Sequence, residues 1–368
     1  MLMESFEVEN FRSLKHLKLE KLARVNLLVG KGNVGKSSML EAFFALMGAG
    51  SPEGFLVIEK ERGLAGEKAD FKYLFHNFDA RNAIKLSATH REVDSTIADP
   101  QALLSVTVEA FNRRETTARL PRKSPAVTDL VLTVQMAGSA APVAVEIKRG
   151  EHGEVMTSPT ADEMRDYFAT QVAFPAASRY GALEILTTTI DRLLLSEKIE
   201  FLKFKKAETT LLPILRSIDS RIASIELGAG GQIYVDLGSA FATLSPINLM
   251  GEGIQRLLDV VSSLAVQEYG VVLIDEIDNG LHYSALRILW KGILQAARAY
   301  DVQVFATTHS AEALRHLTWV LDEEENARYR DDVAAYTLIR AEDDTVRSYR
   351  YGAEQLEYAL EHDIEVRN

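Results

Sequence analysis

The residues Gly30-Lys31-Gly32-Asn33-Val34-Gly35-Lys36-Ser37 fit the pattern G-x-x-x-x-G-K-[ST], and Ser38 follows them. Such a run can hold phosphate. Its glycines let the backbone curl until successive N–H groups face an anion, its lysine reaches the outer phosphates, and its serine hydroxyl ligates Mg²⁺. The pattern carries this meaning only between a strand and a helix. Here the apolar run VNLLVG precedes it and the apolar-periodic MLEAFFALMG follows, so the context is met. Lys36 is the expected contact for the β and γ phosphates and Ser37 the expected metal ligand, with ATP and Mg²⁺ as the ligands implied.

A second group of chemically capable residues closes the run Val271-Val272-Leu273-Ile274-Asp275-Glu276. Four apolar residues ending in two carboxylates describe a buried strand that delivers charge only at its carboxyl end, which is where ligands bind in parallel sheets. Asp275 is then expected to hold Mg²⁺ through water and Glu276 to polarise the attacking water of phosphoryl transfer. A further apolar strand, Val302 to Ala306, ends in Thr307-Thr308-His309-Ser310. A histidine at the carboxyl end of a neighbouring strand can donate to a γ-phosphate. No N-K-x-D motif occurs, which disfavours a guanine-reading GTPase.

These groups need a scaffold that brings distant strand ends together. The start of the chain reads as two strands, SFEVENF and HLKLEKL, ahead of VNLLVG, and a strand is expected from Ala83 to Ala88. LLSVTVEAF, LVLTVQM and VAVEIKR alternate between breaks and predict an antiparallel meander. Apolar spacings of three and four predict one long helical stretch from about Ala182 to Ile225, interrupted at Pro213. IYVDL then returns to strand. GEGIQRLLDVVSSLAV and LRILWKGILQAARAY read as helices flanking VVLIDE, and the alternation of buried strands with helices predicts a parallel sheet. AAYTLIRA and VRSYRYG predict a closing hairpin, with a short helix from about Ala353. The expected divisions are 1–181, 182–227 and 228–368.

Composition limits the options. The 368 residues are 47% hydrophobic and 26% charged, with a net charge of −12 and no cysteine. A soluble globular chain is indicated, thiolate metal sites and cysteine nucleophiles are excluded, and any metal must be oxygen-bound. No apolar run reaches the roughly 18–20 residues of a membrane span, and the amino terminus lacks a signal-like apolar block, so a cytoplasmic location is expected. The acidic balance argues against a basic nucleic-acid coat. Local basic clusters remain at Arg113-Arg114, Arg119, Arg122-Lys123 and at Lys203, Lys205 and Lys206. They read first as solvated faces, with Phe201 and Phe204 expected as core contacts. The acid clusters Asp322 to Glu325, Asp331-Asp332 and Asp343-Asp344 likewise read as solvated surface.

The order FRS, GKGNVGKSS, MGEGIQRLL, VVLIDEIDNGLHYS and FATTHS resembles the ABC-type ATPase domain of the overcoming-lysogenization-defect (OLD) proteins, a branch near the SMC and recombination ATPases. The resemblance runs from Phe11 to Ser310. It implies an α/β, ABC-type P-loop fold with a mainly parallel core sheet, an antiparallel β lobe and a helical insertion. It makes Gly30 to Ser38 the Walker A, Asp275 and Glu276 the Walker B, the segment around Gly251-Glu252-Gly253 the signature loop, Asn279 to His282 the D-loop and His309 the switch histidine. Arg12 falls where such proteins often carry a phosphate-facing arginine. Gly32 stands where relatives usually have Asn, a change expected to be tolerated because the backbone N–H faces phosphate. MGEGI differs from the LSGGQ of transporters, and Glu252 would repel a γ-phosphate unless its side chain points away. No Q-loop glutamine is evident, with Phe75-His76-Asn77 in a plausible place.

Full-length OLD proteins carry a Toprim nuclease domain with a D-x-D, and no D-x-D follows His309. The resemblance therefore implies an ATPase that dimerises around ATP and acts on a separately encoded nuclease or effector in anti-phage defence or DNA maintenance. No nuclease activity is expected of this chain alone, nucleic-acid binding is neither shown nor excluded, and no membrane partner is expected. Two alternatives stand beside this reading. One is a DNA-binding repair or recombination ATPase of the SMC branch, against which the lack of coiled-coil arms counts. The other is a scaffold that holds ATP with little turnover.

Overall fold

Alternating apolar residues at the amino terminus form two paired strands, β1 (Met3–Phe11) and β2 (Leu14–Glu20), with Phe6 opposite Leu19 and Val8 opposite Leu17. All four side chains are buried, so one face of this ribbon is committed to a core. The computed structural model describes residues 3–48, 53–64, 70–90, 101–111, 127–136, 141–149, 155–158, 183–186, 190–217 and 219–367. Next come β3 (Val25–Val29), buried at every position, and the helices α1 (Lys36–Met47) and α2 (Glu53–Glu61). The expected meander follows as β4 (Ile84–His90), β5 (Gln101–Phe111), β6 (Asp129–Met136), β7 (Val143–Arg149) and β8 (Val155–Ser158). With the first two strands it makes a seven-stranded antiparallel sheet, ordered β2-β1-β4-β5-β6-β7-β8.

The single helical stretch expected over 182–225 is corrected. Leu183–Leu186 is a strand, β9, followed by helices α3 (Arg192–Phe204) and α4 (Glu208–Arg216) and by β10 (Ser224–Leu227). The helical break falls at Lys206, whose φ of 56° ends α3, while Pro213 sits inside α4. Phe201 packs partly against the core as expected, but Phe204, the last residue of α3, is 87% exposed because the apolar spacing runs past the helix end. The basic run between Arg113 and Lys123 lies outside the described residues.

The chain continues through β11 (Ile233–Asp236) and β12 (Ser245–Pro246), which join β10 in a small sheet. It then runs through α5 (Glu252–Val266), β13 (Val271–Ile274), α6 (Tyr283–Ala299), β14 (Gln303–Thr308) and α7 (Ala311–Asp322). The closing hairpin β15 (Val333–Arg340) and β16 (Val346–Gly352) and helix α8 (Ala353–Glu361) follow. The core sheet has the order β16-β15-β3-β14-β13-β9. Its strands are parallel except the edge strand β16.

Both faces of this sheet are covered, which is why its strands are apolar runs. Val25, Val272 and Val304 point into a core shared with α3 to α8, while Leu28, Leu273 and Phe305 point to the other side. There α1 lies between the two large sheets. Phe43 stacks on Phe6 of the antiparallel sheet at 3.9 Å and meets Phe305 of the parallel one at 4.0 Å. The helix that leaves the Gly30–Ser37 loop is thus clamped from both sides. Among the described residues, no helix is long and apolar enough to cross a membrane.

Candidate functional site

Parallel register decides which residues meet. Ile274 pairs with Ala306, and Thr308 pairs with Val29, so the carboxyl ends of β13, β14 and β3 open side by side. The loop from Gly30 to Ser37 curls over these ends. Gly30 and Gly35 have φ of 152° and 112°, and a Cβ on either would strike Leu338 O at 2.8 Å or Leu14 Cδ2 at 2.5 Å. Only glycine fits both the conformation and the space. A Cβ on Gly32 would meet nothing within 4 Å. The Lys36 ammonium donates to the carbonyls of Gly30 (2.7 Å) and Lys31 (3.0 Å), so it lies in the hollow of the loop. Burial lowers its pKa, opposed by Asp275 and Glu276.

Ser37 Oγ donates to Asp275 Oδ1 at 3.2 Å, and Thr307 Oγ1 donates to the same oxygen at 2.5 Å. The Thr307 hydroxyl also accepts from the Glu276 N–H at 2.8 Å, so one threonine aligns both carboxylate residues. Glu276 has φ of 47°, an uncommon conformation for a non-glycine residue, and Asn279 Nδ2 donates to its Oε2 at 3.4 Å. A serine hydroxyl and a carboxylate oxygen converging beside the Gly30–Ser37 loop are the hard oxygen donors that suit Mg²⁺. Ser37 and Asp275 are the residues that would hold it.

The cleft has a volume of about 1110 Å³ and is lined by Arg12, Gly30 to Asn33, Gly35 to Ser38, Asp275, Glu276, Thr307 and His309, among others. Val34 is buried behind the loop instead. His309 follows β14 and is exposed, and its carbonyl accepts from Arg367 Nη1 at 3.4 Å. Arg367 pairs with Glu365 at 2.7 Å and holds that carboxyl well down, at a pKa of about 2.

Arg12 lies in the β1–β2 turn with φ of 48° and lines the cleft, but its guanidinium is ion-paired to Glu41 of α1 at 2.7 Å. Glu41 Oε1 accepts from Arg62 at 2.6 Å. Burial raises the Glu41 pKa, and the two arginines oppose that rise. Arg12 is thus engaged within the chain and does not stand free toward phosphate. Gly251 and Gly253 are not brought to the cleft. They head α5, where the Glu252 carboxylate lies 3.6 Å from the place a Cβ would take on Gly280 of the loop between β13 and α6.

Several lining residues escaped the sequence reading: Arg62, Leu64, Tyr73, Phe78, Arg340 and Arg367. Asp344, read as solvated surface, also lines the cleft, paired to Arg340 at 2.6 Å and to His76 at 2.9 Å. The other acid clusters are ion-paired as well, for instance Asp332 with Arg24 at 3.8 Å and Arg298 at 3.5 Å. Of Phe75-His76-Asn77, the last two line the cleft and Phe75 is buried. None of these residues sits in a spaced motif, and only Thr307, within the FATTHS run, carried a readable signal.

The parallel sheet, the loop and the carboxylates at the strand ends define an α/β ATPase fold of the kind seen in SMC head domains. The solved SMC head bound to the C-winged helix domain of ScpA superposes with a TM-score of 0.56 at 13% identity, covering 96% of this chain and 99% of that one. Residues 1–124 match the family described as "AAA ATPase domain", and residues 149–315 match "AAA domain, putative AbiEii toxin, Type IV TA system". The chain is therefore similar to AAA-type ATPase domains over both segments. A Helicobacter pylori protein named "ATP/GTP phosphatase" is 21% identical over 382 residues, spanning 98% of this chain and 99% of its own length. An uncharacterised Methanocaldococcus jannaschii protein is 36% identical over 83 residues, 21% of this chain and 37% of its own length.

Proposed function

We propose that this chain binds ATP with Mg²⁺ in the cleft, hydrolyses it, and closes around it with a second copy of itself. The observation that carries the reading is that Lys36, Ser37, Asp275 and Glu276 converge in one cleft while Gly251 and Gly253 lie outside it. Lys36 neutralises the outer phosphates, and the loop N–H groups from Gly30 to Ser38 cradle them. Ser37 and Asp275 would hold Mg²⁺, which would offset the negative charge of the outer phosphates. Glu276 orients the attacking water, and His309 donates to the γ-phosphate. Arg12 exchanges Glu41 for phosphate when nucleotide enters. The free N–H groups of α5 at Gly251 and Gly253 complete the site from the opposite chain.

The OLD-like order of motifs supports a cycle that controls a separately encoded nuclease or effector in defence or DNA maintenance. The SMC head solved with a ScpA domain shows that a head of this fold can seat a partner protein. Within the 182–227 segment, the helices α3 and α4 serve in this reading as an insertion between β9 of the core sheet and the small β10-β11-β12 sheet.

Glu276→Gln keeps shape and hydrogen bonding but removes the base, so the closed state should persist. Light scattering is expected to give twice the monomer mass for this variant with ATP, and the monomer mass with ADP or without nucleotide. One mass in all three conditions would rule out the ATP-closed dimer.

A further inference from the structure

The phosphates account for one end of the cleft only. Its volume of about 1110 Å³ exceeds what a triphosphate fills and matches a whole nucleotide with room to spare. Glycine, polar or charged residues make up nearly all of the described lining, and the large apolar surfaces come from Leu64, Tyr73 and Phe78. A base tethered to phosphates at Gly30 to Ser37 has these as its apolar walls.

Phe78 is mounted rather than loose. Its segment begins at Asp70, whose carboxylate accepts from the N–H groups of Lys72 (3.0 Å) and Val127 (2.8 Å). Phe71, Leu74 and Phe75 are fully buried, and Arg12 N–H donates to Leu74 O at 2.8 Å. His76 is fixed between Arg12 O (Nδ1, 3.0 Å) and Asp344 Oδ2 (Nε2, 2.9 Å). The chain then turns through Asn77 and Phe78 with φ of 51° and 57°, a region a bulky side chain rarely adopts. That turn leaves Phe78 59% exposed while the other phenylalanines of the segment are buried. Tyr73 meets it edge-on, centroids 5.3 Å apart at 86°, and has Lys72 Nζ 5.1 Å over its own ring. The T-shaped contact steadies Phe78, whose side chain still stays largely exposed.

We propose that Phe78, steadied by Tyr73, is the stacking platform for the nucleobase of the bound nucleotide. This rests on the nucleotide reading above and deepens it. Every base has a π-face, so the platform takes adenine and guanine alike and sets affinity without reading base identity.

The test is calorimetric titration of wild type, Phe78→Ala and Phe78→Trp with ATP, GTP and inorganic tripolyphosphate, each with Mg²⁺. Phe78→Ala should weaken ATP and GTP about tenfold and leave tripolyphosphate unchanged, and Phe78→Trp should hold or improve both nucleotides. The side chain is exposed, so its truncation opens no core cavity. Unchanged ATP affinity in Phe78→Ala overturns the proposal, as does an equal loss for tripolyphosphate. If wild type binds neither ATP nor tripolyphosphate, the nucleotide reading itself fails. If it binds both equally, the phosphate site stands and only the base platform falls.

Discussion

The two glycine turns with a place in the proposed chemistry have opposite surroundings. The turn from Gly30 to Gly35 is walled in by its own chain: Leu338 O lies against Gly30, Leu14 and Ser13 lie against Gly35, and Lys36 is bonded to the loop carbonyls. The turn at Gly251 is open, exposed to solvent, and among the described residues no heavy atom comes within 4 Å of a Cβ placed there. In the first, glycine answers a steric demand inside one molecule. In the second, as at Gly32, no described residue asks for glycine, and the space beside it is open to a second chain. The proposed dimer, which would seat Gly251 in a neighbour's cleft, makes use of that difference.

Three substitutions test this contrast, from the largest effect to the smallest. Gly35→Ala forces a φ of 112° on a side chain that would meet Leu14 Cδ2 at 2.5 Å, and should cost about 2–4 kcal/mol with loss of ATP binding. Thermal melting and calorimetry would read both. A melt within error of wild type would mean that the loop is less packed than described. Gly251→Asp, placed in the Glu276→Gln background, should leave the melt unchanged or slightly raised, because aspartate is a favoured helix N-cap, by a few tenths of a kcal/mol over glycine. The same charge should abolish the ATP-dependent mass increase in light scattering. A surviving dimer would remove Gly251 from the interface. Gly32→Asn, in a loop position with open space and ordinary φ, should change neither melt nor ATP affinity by more than about 0.5 kcal/mol. A clear loss of affinity would show that this position does more than present its N–H.

The strands of both sheets were mostly legible because their patterns are local. Phe6 and Val8 alternate with polar neighbours, and the Val271 to Ile274 run stops at a carboxylate pair. Leu183–Leu186 was absorbed into the helical stretch because four residues are too few to display a period against the heptad-like spacing that follows. The closing hairpin was legible, but not the position of β15 beside β3, since no local pattern encodes a pairing such as Ala335 with Leu27.

The site divides in the same way. Lys36, Ser37, Asp275, Glu276 and His309 sit in motifs legible in the sequence, and the structure brings them to one cleft. Thr307 lay in view, yet its hold on Asp275 becomes visible only once β13 and β14 are in register. Glu41 reads as the polar side of an amphipathic helix, whereas α1 is covered by two sheets and Glu41 is buried between Arg12 and Arg62. Arg340, Asp344 and Arg367 reach the cleft from the far end of the sequence, through folding alone.

The helix headed by Gly251 is also joined to the α3 segment by a charge pair in the interior. Lys198 Nζ reaches Asp259 Oδ1 at 2.8 Å and Ser263 Oγ at 2.7 Å, with the lysine 2% and the aspartate 4% exposed. Arg256 Nη1 lies 3.7 Å from the other Asp259 oxygen, so the aspartate is shared by two buried cations, and removing it from such a group costs about 3–5 kcal/mol. Neither position can therefore drift alone. A change in α3 must be answered in α5 within the same lineage, so a segment with no residue in the cleft restricts the sequences open to the helix that is proposed to complete it.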